Sequence, residues 1–339
     1  MIGPYRPHGP LRWLLDRLDG VSHWALVGAL GAESRSATVP QELCFLGKLE
    51  SCLLLRINDV ASDFSREVKR LMLERERELR STVGSLLEIQ DESLMSELPE
   101  LEPLGDRIEE RVGESVVLDV SCLPKRFFFY ITRRLLQSEK VKNVVAAVTI
   151  PEKYGSQLSK SGGSWAFLPS FGRERSDRAQ PMLIIGVGYQ HLNLLEVAES
   201  DPDPVRLLFP FPSKPPGAIK NWEFVRSIEK QKKFGLKPSD LIRVHPQATS
   251  LAFDILTGHC AGQSNEVWLA PFGPKSLSLA MLLFALAREA ADLPVSIGYT
   301  QPPAYSATYS IGVERACNGV PVVHSYCLKL GGKNLYSHG

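Results

Sequence analysis

The chain has 339 residues, which at about 150 residues per domain predicts two domains. Hydrophobic residues make up 44% and charged residues 23%, a balance that excludes wholesale disorder, in which burial could not offset chain entropy. With 39 Lys and Arg against 38 Asp and Glu the net charge is +1, which argues against a surface given over to nucleic-acid backbone, because that binding runs on excess positive charge.

The opening residues, MIGPYRPHGPLRWLLDRLDG, contain no apolar core followed by a small-residue cleavage site, so a short helix is expected there rather than a signal peptide. Trp24–Gly31 (WALVGALG) reads as a strand breaking into glycine, and Leu53–Asp59 as a second strand ending in turn formers. A charged helix follows around Asp63–Arg80, with Ser62 or Asp63 placed to cap it. A third short strand is expected at Leu86–Gln90. The acidic stretch Asp91–Glu110, with Pro99 and Pro103, reads as an irregular insertion leading into a helix near Leu104–Val112.

Val116–Gln137 (VVLDVSCLPKRFFFYITRRLLQ) then gives an apolar run, a Pro-Lys turn and a helical pattern, followed by VVAAVTIPEKY. The same plan returns in Val267–Arg288 (VWLAPFGPKSLSLAMLLFALAR), followed by VSIGYTQPPAY. A spacing of 151 residues separates Val116 from Val267, Thr149 from Thr300, Pro151 from Pro302 and Tyr154 from Tyr305. Upstream, Met182–Gly188 matches Trp24–Gly31, and Arg206–Pro212 matches Leu53–Asp59. A helix around Lys220–Phe234, a strand at Leu241–His245 and a helix near Gln247–His259 complete the second copy.

Short apolar strands alternating with helical stretches predict βαβ units. The expected fold is therefore α/β, with two tandem Rossmann-like, doubly wound, mainly parallel sheets related by internal duplication. The boundaries follow: a first half over 1–155 with its N-terminal helix, a linker or flap over 156–180, a second half over 181–330, and a flexible tail over 331–339. An edge strand is expected at Val320–Leu328. The longest apolar stretch, Leu277–Ala287, is too short for a bilayer and reads as a buried helix. Six cysteines without a C-x-x-C pair suit buried thiols in a reducing cytoplasm, and seven histidines without an H-x-x-x-H or H-E-x-x-H pattern offer no metal site.

In a parallel α/β sheet, ligands bind beyond the carboxyl ends of the strands, where helix N-termini attract anions. The two Pro-Lys turns fall there. Asp119 closes the strand of the first, Ser121 and Cys122 make the turn, and Pro124, Lys125 and Arg126 begin the helix, with proline suited to a first helical position. In the second, Pro271, Phe272 and Gly273 lead into Pro274, Lys275 and Ser276. A lysine at an end that is already positive costs stability unless an anion or a carboxylate lies close. Lys125 and Lys275 are thus candidates to hold phosphate or carboxylate; the alternative is that they face solvent, or that Lys125 pairs with Asp119. Gly273-Pro274-Lys275-Ser276 echoes the end of a phosphate-binding loop without its full spacing.

Tyr154 and Tyr305 hold matching places and could stack on a base or donate to a phosphate, or else cap a sheet edge. Gly28 and Gly31, with Gly186 and Gly188, allow a close backbone approach or simply a tight turn. Tyr189, Gln190 and His191 could read polar groups, with a structural role preferred for His191. Arg173, Arg175 and Arg178, near Lys160, form a basic cluster read as solvated linker. Asp119 is the best single candidate for acid/base work, because Ala270 stands in its place in the second copy.

At these turns, Leu118–Arg126 (LDVSCLPKR) and Leu269–Leu277 (LAPFGPKSL) resemble the strand-turn-helix element of the CRISPR-associated Rossmann-fold (CARF) sensors and related prokaryotic defence proteins, without the usual Thr-Gly-Gly turn. That resemblance covers about 40 residues and implies recognition of a nucleotide or cyclic oligonucleotide across paired Rossmann-like units. It also implies a separate effector protein, since no fused nuclease is evident. The leading expectation is a cytoplasmic ligand-sensing or adaptor protein that binds a nucleotide-like or phosphorylated anion between its halves, with no membrane and no extensive nucleic-acid surface. The alternatives are an enzyme on a small anionic substrate, with Asp119 as acid/base, and a structural subunit of a larger complex. No cofactor is indicated.

Overall fold

In a computed structural model the described residues are 5–337, apart from 19, 173–179, 191, 192, 195, 198–201, 214–216, 231–233, 263 and 264. They form two compact units, residues 1–160 with 302–335 and residues 161–301 with 336–339. Among the described residues no helix is long and apolar enough to cross a membrane.

The first unit opens with β1 (His8–Pro10), α1 (Leu11–Arg17) and β2 (Trp24–Leu30). A 3-10 turn at Ser34–Ala37 leads into α2 (Thr38–Phe45), and β3 (Leu49–Asn58), α3 (Ser65–Val83), β4 (Leu87–Ser93) and α4 (Leu98–Arg111) follow. The half closes with β5 (Ser115–Asp119), α5 (Lys125–Gln137), β6 (Asn143–Thr149) and the short β7 (Lys153–Tyr154). Every residue of β2 is buried, as expected for a strand covered on both faces. The five parallel strands lie in the order β4-β3-β2-β5-β6, so the first strand sits centrally and the strand order reverses between β2 and β5.

The second unit opens with β8 (Ala166–Phe167) and continues through β9 (Met182–Gly186), β10 (Val205–Pro210), α6 (Gly217–Glu229) and β11 (Leu241–Val244). It then runs through α7 (Thr249–His259), β12 (Val267–Pro271), α8 (Lys275–Ala290) and β13 (Val295–Tyr299). Its parallel strands lie in the order β11-β10-β9-β12-β13. This is the order of the first unit, strand for strand, with the reversal between β9 and β12. The two-sheet Rossmann-like α/β fold expected from the sequence is present, and the shared strand order agrees with duplication.

Each sheet is completed by an antiparallel strand beyond its fifth parallel strand. In the second unit this is β8, paired with β13, so part of the expected linker is sheet edge. Gly298 on β13 makes room for it: a side chain there would sit 2.1 Å from the ring of Trp165. In the first unit the completing strand is β15 (Val323–Leu330), which pairs with β6 over most of its length and with β1 on its far side. The run after β13 therefore leaves the second unit at residue 301 and joins the first. It supplies β14 (Ser310–Ile311) against β7, then β15, then β16 (Lys333–Asn334). Gly331 and Gly332, both at positive φ, turn β15 back into β16, so much of the expected flexible tail is a hairpin.

The boundaries differ from the sequence expectation because an edge strand belongs to the sheet whose backbone groups it satisfies, not to the half that precedes it in the chain.

Candidate functional site

The crevice at the carboxyl ends of β2 and β5 lies at the switch point of the first sheet, the usual place for ligands in this class of fold. Gly31, Cys122 and Ser36 come together there. A side chain at Gly31 would meet the Cys122 Cβ at 3.4 Å and the Ser36 Cβ at 3.7 Å. Ser36 Oγ lies 2.8 Å from the Glu33 carbonyl and 3.2 Å from that of Gly31, fixing the turn as it leaves β2.

That turn carries Arg35 into the interior, where it is only 3% exposed. Arg35 Nε donates to Glu33 Oε2 at 2.9 Å, and Ser310 Oγ donates to the same oxygen. The guanidinium lies 6.0 Å from the Tyr309 ring centre. Burial works against its charge, but Glu33, Cys122 and Tyr154 outweigh that and hold it firmly protonated. Burial raises the hydroxyl pKa values of Tyr154 and Tyr309, so both stay neutral beside the cation, and the Tyr154 oxygen accepts from the Arg35 guanidinium.

Tyr309 stands between the two matched tyrosines, at 6.1 Å from Tyr154 and 5.8 Å from Tyr305, edge-on to each. The structure thus brings Tyr154 and Tyr305 into one cluster within the first unit. The Tyr305 N–H donates to Asp59 Oδ2 at 2.7 Å. Asp59 follows β3, and burial pushes its carboxyl up to about 6 against the opposing pull of that bond.

The other sequence candidates of this half have internal partners. Asp119 Oδ1 accepts from both N and Oγ of Ser121, and Ser121 Oγ in turn accepts from the Thr149 N–H at 2.8 Å. These two residues tie the end of β5 to the end of β6. Arg126 reaches back to the start of α4, donating to the Ser96 carbonyl at 2.6 Å and to Glu97 Oε1 at 3.0 Å. Lys125 is buried as the first residue of α5. Pro124 and Pro274 sit one position earlier than expected, as N-caps with ψ of 150° and 154°. Their extended backbone holds the chain out of the helix until the lysine. Lys160 pairs with Asp63. His191 and the arginines at 173, 175 and 178 lie outside the described residues.

At the matching crevice of the second unit the chain fills its own space. A side chain at Gly188 would lie 2.0 Å from the Phe272 carbonyl oxygen, one at Gly186 3.0 Å from Met281 Sδ, and one at Gly273 3.0 Å from the Val187 carbonyl oxygen. These glycines serve backbone packing. Phe272 is buried among Trp165, Phe224 and Tyr299, with ring centres 6.5, 6.0 and 5.2 Å away. Lys275 is half-buried at the start of α8, and Ser276 is buried, its carbonyl accepting from Thr249 Oγ1 at 3.0 Å.

Sequence reasoning missed Glu33, Arg35, Asp59, Tyr309 and Ser310. One signal was available: Glu33-Ser34-Arg35 directly follows the glycine that ends the first strand, in the loop that borders the switch point. Nothing local distinguishes Tyr309 and Ser310, which reach the site from the far end of the chain.

No family model matches this chain, and no curated protein matches it. Among solved structures it is similar to a protein from Pseudomonas aeruginosa UCBPP-PA14 assigned as a universal stress protein, at 10% identity and a TM-score of 0.23, covering 84% of this chain and 95% of that one. A functionally unknown protein from Pseudomonas aeruginosa PAO1 aligns at 8% identity and a TM-score of 0.25, covering 85% and 95%. A ketoreductase from the first module of phoslactomycin biosynthesis in Streptomyces sp. HK803 aligns at 13% identity and 0.20, covering 82% and 70%. At these scores the neighbours fix neither family nor ligand, and none of the three carries a CARF or defence name.

Proposed function

We propose that this chain is a ligand-sensing or adaptor protein whose first unit binds a small anion, nucleotide-like or phosphorylated, in the crevice around Arg35. The observation that carries the reading is a buried guanidinium at a switch point, bordered by neutral phenols, where the duplicate half has an aromatic plug built on Phe272. A planar fork of donors suits phosphate and carboxylate oxygens. A dry setting strengthens that attraction. Lys125, at the first turn of α5, adds a second positive group on the β5 side of the crevice, and Tyr154 and Tyr305 add hydroxyl donors. A cytoplasmic setting, a separate effector and a role in prokaryotic defence complete the reading; the first rests on the six cysteines without a C-x-x-C pair, the other two on the CARF resemblance of Leu118–Arg126 and Leu269–Leu277 alone. Asp119 and Ser121 act as positioning residues for the turn, which favours binding over the alternative with Asp119 as acid/base.

The test is native mass spectrometry of the freshly purified chain for a retained small molecule. Thermal shifts with inorganic phosphate, AMP, ATP and cyclic oligoadenylates accompany it. A ligand at a hundredfold excess over its Kd stabilises by about 2.7 kcal/mol. The expected result is a melting-point rise with at least one of these probes that is lost in Arg35→Lys, which keeps the charge but not the fork. No retained molecule and no shift with any probe, or a shift indifferent to Arg35, would remove the proposal.

A further inference from the structure

Residues 302–311 lie against the chain just beyond the carboxyl ends of β2 and β3, the side of a parallel sheet on which ligands bind. They enter the first unit directly after Gln301, the last residue of the second unit's main run. The Val60 N–H donates to the Pro303 carbonyl at 3.0 Å, and Tyr305 N–H takes the carboxylate of Asp59 just beyond β3. Tyr309 lies against Arg35, and Ser310 donates to Glu33. The segment comes very close to the chain beneath it: a side chain at Gly155 would sit 2.1 Å from the Thr308 carbonyl oxygen.

Within this segment Ser310 and Ile311 form the two-residue β14 and Tyr305 makes a single bridge to Ser159. The Lys160 N–H donates to the Ala304 carbonyl, the Ser306 N–H to that of Leu158 and the Gly155 N–H to that of Tyr309. Ala304, Ser306 and Ser310 are buried, Tyr305, Ala307 and Tyr309 half-buried and Thr308 exposed, so the segment is held by short, interrupted pairing and not by a continuous ladder. Such a stretch opens at lower free energy than the strands on which it lies. Tyr309 and Ser310 stand beside the Arg35–Glu33 pair, together with Cys122 and Tyr154. A ligand can shift this equilibrium only by binding the open form better, and closure lowers its apparent affinity by the open fraction.

We propose that residues 302–311 are a displaceable strap, latched by Asp59 to the Tyr305 amide, that closes the Arg35 crevice so that ligand entry and strap opening are one coupled event. This deepens the anion-binding reading and rests on it. The strap follows β13 in the chain and leads into β14 and β15.

The test needs no ligand. In the full chain, hydrogen exchange of peptides within 302–311 and iodoacetamide labelling of Cys122 are followed by mass spectrometry. Asp59→Ala should speed strap exchange at least tenfold and Cys122 labelling at least threefold, with buried Cys52 and Cys327 still unreacted. Asp59→Asn keeps a carbonyl acceptor and should restore both. Ser310→Ala, which frees the strap at its other end, should act in the same direction and serves if Asp59→Ala does not fold. Unchanged exchange, faster exchange without faster Cys122 labelling, or labelling of Cys52 and Cys327 as well would overturn the strap. Any of these results leaves anion binding at Arg35 to its own thermal-shift test, and a failed thermal shift leaves the latch measurements standing.

Discussion

Phe272 in the second unit and Cys122 in the first hold the same place, two residues before the proline that caps the helix after the fourth parallel strand. One is buried in an aromatic cluster and the other is half-buried beside a buried arginine. The duplicated halves have thus diverged at the switch point, one closing it with apolar area and the other lining it with polar groups.

The closure in the second unit can be measured. Gly188→Ala drives a Cβ into the Phe272 carbonyl, a backbone atom that cannot rotate aside. We expect a loss of roughly 3 kcal/mol or more in denaturant unfolding, whereas Gly258→Ala, which meets nothing within 4 Å inside α7, should be neutral or stabilising by up to about 1 kcal/mol.

Arg35 is buried and Glu33 is half-buried, and the pair does not tolerate the loss of one member. Arg35→Ala leaves Glu33 and Ser310 without the guanidinium and should cost about 2–4 kcal/mol, less than a fully buried pair because Glu33 is partly solvated. The double variant Arg35→Met with Glu33→Gln should recover most of that. A double-mutant cycle by urea unfolding measures the coupling, and additive losses would show that the pair is not coupled.

For Asp119 the positioning role and an acid/base role separate cleanly. Asp119→Asn keeps the oxygen that accepts from Ser121 and should leave stability within about 1 kcal/mol of the parent. Asp119→Ala strands two buried donors and should cost about 2–4 kcal/mol. Any turnover found for this chain should survive Asp119→Asn.

Asp59 gives a pH signature. Its folded pKa of about 6 lies above the ordinary value of 3.8, so the folded state holds this proton more tightly than the unfolded chain does. Its favourable contribution is complete below about pH 4 and disappears as pH rises through 6. Between those values stability should fall by about 1–2 kcal/mol after solvent screening is allowed for. Asp59→Asn should flatten that slope in pH-dependent denaturation.

Much of the fold was legible in the chain. Apolar runs such as WALVGAL and VVLD fix buried strands, because no solvated face could carry them, and the 151-residue spacing of the Thr-x-Pro-x-x-Tyr landmarks marks the duplication. The two tyrosines and the Pro-Lys helix starts were legible for the same reason: each lies beside a strong local signal. The bonds from Ser121 to Asp119 were not legible, because they depend on how tightly the turn closes.

Local pattern determined which segments became strands and helices, since burial of alternate or continuous apolar residues acts over a few neighbours. Tertiary structure alone decided which sheet each edge strand completes, because an unpaired backbone group accepts whatever strand reaches it, however distant in sequence. It also decided that Tyr309 and Ser310 meet Arg35 and Glu33 across more than half the chain. No short-range pattern encodes that meeting, and the proposed site is built from it.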